Sequence, residues 1–140
     1  MKFESLEELY KTDEDKSTQG VPITVGMNSR DEQIVMIVAE AGSPLHRRIQ
    51  RKYDRALESS RRSPEKRRMI MSKIVAESLL KGWSGVLDSD GNEVPYTIEN
   101  GYEALMKYER LAVDIMEAAA DPENFRPDDE IESVQDTEKN

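Results

Sequence analysis

Residues 20–44 read GVPITVGMNSRDEQIVMIVAEAGSP, and the fold turns on them. Val21, Ile23 and Val25 alternate with Pro22 and Thr24, the two-residue period of a strand with one face turned inward. Gln33 to Ala39 is a run rich in β-branched residues, and Gly26 to Asp31 between the two supplies turn chemistry. The stretch predicts a β-hairpin. Pro22 has no amide hydrogen, which places the first strand at a sheet edge. Two strands alone are marginal in water, so the hairpin must rest on something else. Gly42, Ser43 and Pro44 announce a helix, with Ser43 as its N-cap and Pro44 in its first turn.

Helices follow downstream. The first is expected to run to about Ser59, with Leu45, Ile49, Tyr53, Ala56 and Leu57 facing inward. Ser63-Pro64 repeats the cap-plus-proline start. A second helix then runs to about Lys81, with Met69, Ile70, Ile74, Val75, Leu79 and Leu80 as apolar members and Gly82 as its stop. Residues 83–96, WSGVLDSDGNEVPY, read as a loop with turn chemistry from Asp88 to Asn92. Thr97 caps a third long helix that reaches about Ala120, where Asp121-Pro122 ends it.

Upstream, Phe3, Leu6, Leu9 and Tyr10 are spaced for one or two amphipathic helical turns, and Ser5 and Glu8 are spaced for a capping box. Lys11 to Gln19 is polar and reads as a linker. The C-terminal stretch is acidic, with Phe125, Ile131 and Val134 as weak docking points. The expected fold class is α+β, mainly α-helical: three main helices packed with one N-terminal β-hairpin, with flexible acidic ends. The expected organisation is an N-terminal arm over 1–19, a single domain over 20–120 and an acidic disordered tail over 121–140.

Composition excludes several classes. The 140 residues are 36% hydrophobic and 35% charged, and charge in globular domains is usually about 25%. There is no cysteine, which removes disulfides, zinc-thiolate sites and cysteine nucleophiles. His46 is the single histidine. No apolar run has the length of a membrane span. The acidic start MKFESLEELYKTDEDK is not a signal peptide, so the expected compartment is the cytoplasm. No phosphate-binding loop, dinucleotide fingerprint or nucleophile elbow occurs, and no enzyme activity, cofactor or metal is expected.

The net charge of -9 conceals a block structure. From His46 to Lys73 stand eleven basic residues against three acids, while the last twenty residues hold eight acids against Arg126 and Lys139. Such blocks point to an interaction surface or to contact between segments. The basic segment 47–73 can neutralise phosphates, which makes a small nucleic-acid-binding regulator the alternative reading. Its one aromatic, Tyr53, fits the inward face, which argues against a stacking platform for single strands. Asp88 to Glu93 has oxygen-bearing residues in a loop, but its glycine is misplaced for a calcium-binding EF-hand, and a turn is expected instead. His46 is expected to be an exposed surface residue. Met69 and Met71 are two apart and cannot share a helix face, so one of them is expected at the surface. Met36, Met106 and Met116 are expected in the core.

Residues 82–100, GWSGVLDSDGNEVPYTIEN, resemble the tail assembly chaperones of long, flexible-tailed (siphovirus-type) bacteriophages. In that family a helix ends in Gly-Trp, a loop of the form GV-D--G---PYT-EN follows, and another helix begins. The strand ending in Ala39-Glu40-Ala41-Gly42, which leads through Pro44 into a basic helix, is also similar, as is the short strand after Gly20. The resemblance covers about residues 20–120. It departs at Pro22, where relatives often carry an aromatic, and at Leu45-His46, where a tyrosine is common.

The resemblance implies a non-enzymatic protein of the host cytoplasm. It would bind and solubilise the tape-measure protein during tail assembly and be absent from the finished virion. A longer form made by ribosomal frameshifting would recruit tail-tube protein; homo-oligomers are compatible with this role, and nucleic acid and membrane are not expected partners. A chaperone of amphipathic helices needs an apolar groove with a charged rim. The helix from Pro64 to Gly82 is expected to supply it, through Arg67, Met69, Met71, Ile74, Leu79 and Trp83.

Overall fold

The computed structural model describes residue 1 and residues 3–128. The chain forms, in order, α1 (Glu4–Tyr10), α2 (Glu14–Gln19), β1 (Val21–Met27), β2 (Gln33–Val38), α3 (Pro44–Lys52), α4 (Asp54–Ser59), α5 (Pro64–Ser78), β3 (Leu80–Ser84), α6 (Ile98–Lys107) and α7 (Glu109–Ala120). A short 3-10 helix, Pro122–Phe125, follows. The fold class is α+β and mainly α, as the sequence predicts.

The hairpin forms where its alternation places it. β1 pairs antiparallel with β2, Val21 opposite Val38 and Ile23 opposite Met36, with an irregularity between Thr24 and Gly26. β1 is an edge strand, the position Pro22 requires. The sheet has a third strand that the sequence reading assigned to a helix end and a loop. Leu80–Ser84 pairs antiparallel with the other edge of β2, so the order is β1-β2-β3. Gly82 therefore lies inside a strand opposite Ile37, and the second long helix stops at Ser78.

α5 is the hub. Ile74, Val75, Ala76 and Ser78 are buried along it, between the sheet and the surrounding helices. The core joins Met36 and Val38 of β2, Val75 and Leu79 at the end of α5, Leu105 of α6 and Ile115 and Ala119 of α7. Burying a side chain of this size contributes about 1.5–3 kcal/mol relative to leaving it exposed. Met36 is in the core as expected, whereas Met116 is exposed at the surface of α7.

Two helices expected to be continuous are broken. Tyr53 separates α3 from α4, with its amide shared between the carbonyls of Ile49 and Gln50. Tyr108, at φ -121° and ψ 89°, separates α6 from α7. A straight rod of that length would be about 1.5 Å per residue long and would carry one half off the core. The break lets Leu105 and Ile115 both be buried.

The expected helix starts are present: Ser43, Ser63 and Thr97 each accept a hydrogen bond from the backbone three residues on. The box from Ser5 to Glu8 is not, since α1 starts after Phe3 without a side-chain cap.

The segment read as a linker contains α2. Asp13 caps it, and the Ser17 hydroxyl donates to Glu40 at 2.9 Å. The start of the expected disordered tail is ordered too. Phe125 is fully buried, its carbonyl accepts from the Asp13 amide at 2.8 Å, and Lys16 donates to the Arg126 carbonyl at 2.8 Å. The tail beyond Asp128, with Ile131 and Val134, lies outside the described residues.

Candidate functional site

Side by side, α5 and α7 leave an open groove of about 450 Å³. Met71, Ser72 and Val75 line it from α5, one turn apart as helical spacing dictates. Ala112, Val113 and Met116 line it from α7. Val113 and Met116 are 47% and 43% exposed, so no described residue covers this apolar surface. Arg67 and Arg68 form the rim on one bank and Glu109 stands on the other. The Arg68 guanidinium is fixed by a 2.6 Å hydrogen bond to the Met106 carbonyl, while Arg67 is exposed.

Arg67 and Met71, expected at a partner surface, are at the groove. Met69 is 38% exposed, but helical geometry turns it away from Met71. Ile74 and Leu79 leave the candidate surface, because both are buried in the core where no partner can reach them. Trp83 lies in β3 opposite Met36, and its indole donates to the Val94 carbonyl at 2.7 Å. Its ring meets Tyr96 edge-on at 5.1 Å between centroids. The α7 half of the groove was legible in the sequence only as an apolar stripe. Which of its members turn outward depends on the break at Tyr108.

The loop after β3 is a self-contained scaffold. Asp88 accepts from the amides of Asp90 and Asn92 at 2.9 and 3.0 Å, so its carboxylate closes a turn. Arg30 of the hairpin turn donates to the Gly91 carbonyl. Gly85 is at φ +78°, and a side-chain carbon there would fall on the Gln33 carbonyl oxygen. The Tyr96 hydroxyl shares its proton between the carbonyls of Ala76 and Leu80, at 2.7 and 2.8 Å, and burial raises its pKa to about 12.

His46 is half-buried rather than exposed. Its Nδ1 accepts from the Gly42 amide at 2.9 Å, and burial lowers its pKa. Glu77 of α5 takes hydrogen bonds from Lys52 at 2.8 Å and from the Tyr53 hydroxyl, and so clamps the α3–α4 junction onto α5. Burial pushes the Glu77 carboxyl upward, but those two hydrogen bonds outweigh it and hold the carboxyl below its usual value.

Most of the basic block faces solvent. Arg48, Arg51, Arg55, Arg62 and Arg67 make no ion pair among the described residues; Lys52 pairs with Glu77 and Arg61 with Glu58. Of these exposed arginines Arg67 is the one at the groove. No helix among the described residues is long and apolar enough to cross a membrane.

No curated protein and no solved structure matches the chain. A family model described as "YdaY prophage protein" matches residues 38–140, which takes in the basic block, the loop after β3 and both banks of the groove. With well over half of its length covered by that match, the chain belongs to the YdaY prophage protein family.

Proposed function

We propose that this prophage protein is a tail assembly chaperone that acts by binding and not by catalysis. Its client is the tape-measure protein, held soluble in the host cytoplasm while tail-tube protein assembles around it, and the chaperone is absent from the finished virion. The observation that carries this reading is the uncovered apolar groove between α5 and α7 with an arginine rim. An amphipathic helix can lay its apolar face there and set acidic residues against Arg67 and its unpaired neighbours. The resemblance of residues 82–100 to the chaperone family supports the same reading. The longer form that recruits tail-tube protein belongs to this proposal as well.

The test is co-expression with the tape-measure protein of the same genome, followed by pull-down and size-exclusion chromatography. The expected result is a soluble long protein that co-elutes with the chaperone, and loss of that complex with Val113→Glu. A folded chaperone beside an insoluble, unbound tape-measure protein would overturn the reading.

The exposed arginines favour one alternative, a small nucleic-acid-binding regulator. Salt separates the two. Phosphate contacts release counterions and weaken steeply as salt rises, whereas an apolar groove responds weakly and gives a negative heat-capacity change.

A further inference from the structure

α1 is a helix without a core. It has seven residues and none is buried. Helices this short are marginal in water unless their apolar face packs on something. Phe3, Leu6, Leu9 and Tyr10 fall on one side of it and are 51–77% exposed. Glu4, Glu7 and Glu8 occupy the other side, with Lys11 just past the C-terminus. Among the described residues its last turn is tied down, where Arg126 donates to the Glu8 carbonyl at 3.4 Å. That anchor and α2 tie the arm to the segment that follows α7, and no residue of the arm lines the groove.

Among its described residues the chain thus leaves uncovered both an acidic amphipathic helix and an apolar groove with a basic rim. The two match in charge. Glu4, Glu7 and Glu8 are opposite in sign to Arg67 and Arg68 on the groove's rim, and Lys11 is opposite in sign to Glu109 on the other bank. We infer that α1 of one copy docks in the α5–α7 groove of a second copy. The contact is heterologous, arm into groove, so each molecule offers one of each and copies add head to tail until a ring closes. The buried area is that of one short helix, which places the contact among weak, concentration-dependent associations. The assignment concerns the protein without a client and stands whether or not the groove also takes a tape-measure helix.

Sedimentation of the full chain over a concentration series tests it. Wild type is expected to show a mass that rises with concentration. Leu6→Glu, which removes the arm's apolar face, and Val113→Glu, which blocks the groove, are each expected to stay monomeric. Mixed together, they retain one good arm and one good groove between them and should stop at a heterodimer. Leu6 is solvent-exposed on the arm, so its variant reports even if the groove variant is destabilised. A wild type that stays monomeric throughout overturns the inference, as does a mixture that stays monomeric while wild type associates. The absence of native cysteine allows a second readout. A Leu6→Cys chain mixed with a Val113→Cys chain should crosslink between chains under oxidation. A doubly substituted chain that closes only on itself at every concentration would show the arm folding back instead, and would also overturn the inference.

Discussion

The Tyr96 hydroxyl sits between the carbonyls of Ala76 and Leu80, where α5 gives way to β3. The Ala76 carbonyl lies in the last turn of α5, among the groups a helix cannot satisfy by itself, and Leu80 begins β3. Tyr96→Phe keeps the ring against Trp83 and removes the proton they share. The expected loss is about 1–3 kcal/mol, the cost of leaving buried polar groups unpaired, read as a lower denaturation midpoint with an unchanged slope. His46 gives a pH dependence of definite sign. Its Nδ1 can accept from Gly42 only while the ring is neutral. Burial lowers its pKa in the fold, so the unfolded chain takes up the proton first, near 6.5. Its contribution is complete above that value and is lost as pH falls from there through the lower folded value. Melting curves between neutral and mildly acidic pH should show wild type losing stability over this window, and His46→Gln should flatten that part of the profile.

At the scale of elements, Gly101 is a glycine inside α6 that helix propensity would replace. An ordinary exposed helix position gains about 1 kcal/mol from Gly to Ala. Here a side-chain carbon would stand 2.7 Å from the Tyr96 ring. Gly101→Ala is therefore expected to destabilise, and chemical denaturation gives the sign directly. The elements legible in the sequence were those with local chemistry. The hairpin showed in its alternation, and the starts of α3, α5 and α6 showed in Ser43, Ser63 and Thr97. β3 was illegible because Leu80 to Ser84 has too few residues for a period, and Gly82 is equally good as a helix stop. α2 was illegible because its partners, Glu40 and the stretch around Phe125, are remote in sequence. The breaks at Tyr53 and Tyr108 carry no proline or glycine and answer only to tertiary packing. The groove followed the same rule. Its α5 bank could be read from Arg67 and Met71, whereas Ile74 and Leu79 looked equally available, and tertiary packing buries both. Trp83 stood out in composition for a reason that is architectural: it braces the loop after β3.

Across the whole molecule, the two ends of the described chain meet. α2 and the 3-10 helix share the Asp13–Phe125 backbone hydrogen bond, the contact of Lys16 with the Arg126 carbonyl and the ion pair of Lys16 with Asp128. Phe125 is the seal, with no exposed surface. Phe125→Ala is expected to cost about 3–5 kcal/mol, typical of emptying a buried aromatic site, and thermal unfolding measures it. That cost would exceed what any substitution on the open groove surface exacts, since exposed positions usually lie within about 0.5 kcal/mol of neutral.

This meeting of the ends also sets an order in time. Residues 13–19 leave the ribosome well before their partners at 125, 126 and 128, which emerge after the sheet and the longer helices have been made. In the interval this six-residue helix is held to the rest of the fold through Glu40 alone among its described partners, too little for so short a helix. The hairpin, α5 and α7 can therefore assemble first, and the N-terminal segment closes last, as a latch. Until that moment the acidic, amphipathic α1 lacks the hydrogen bond from Arg126 to its Glu8 carbonyl that ties it down.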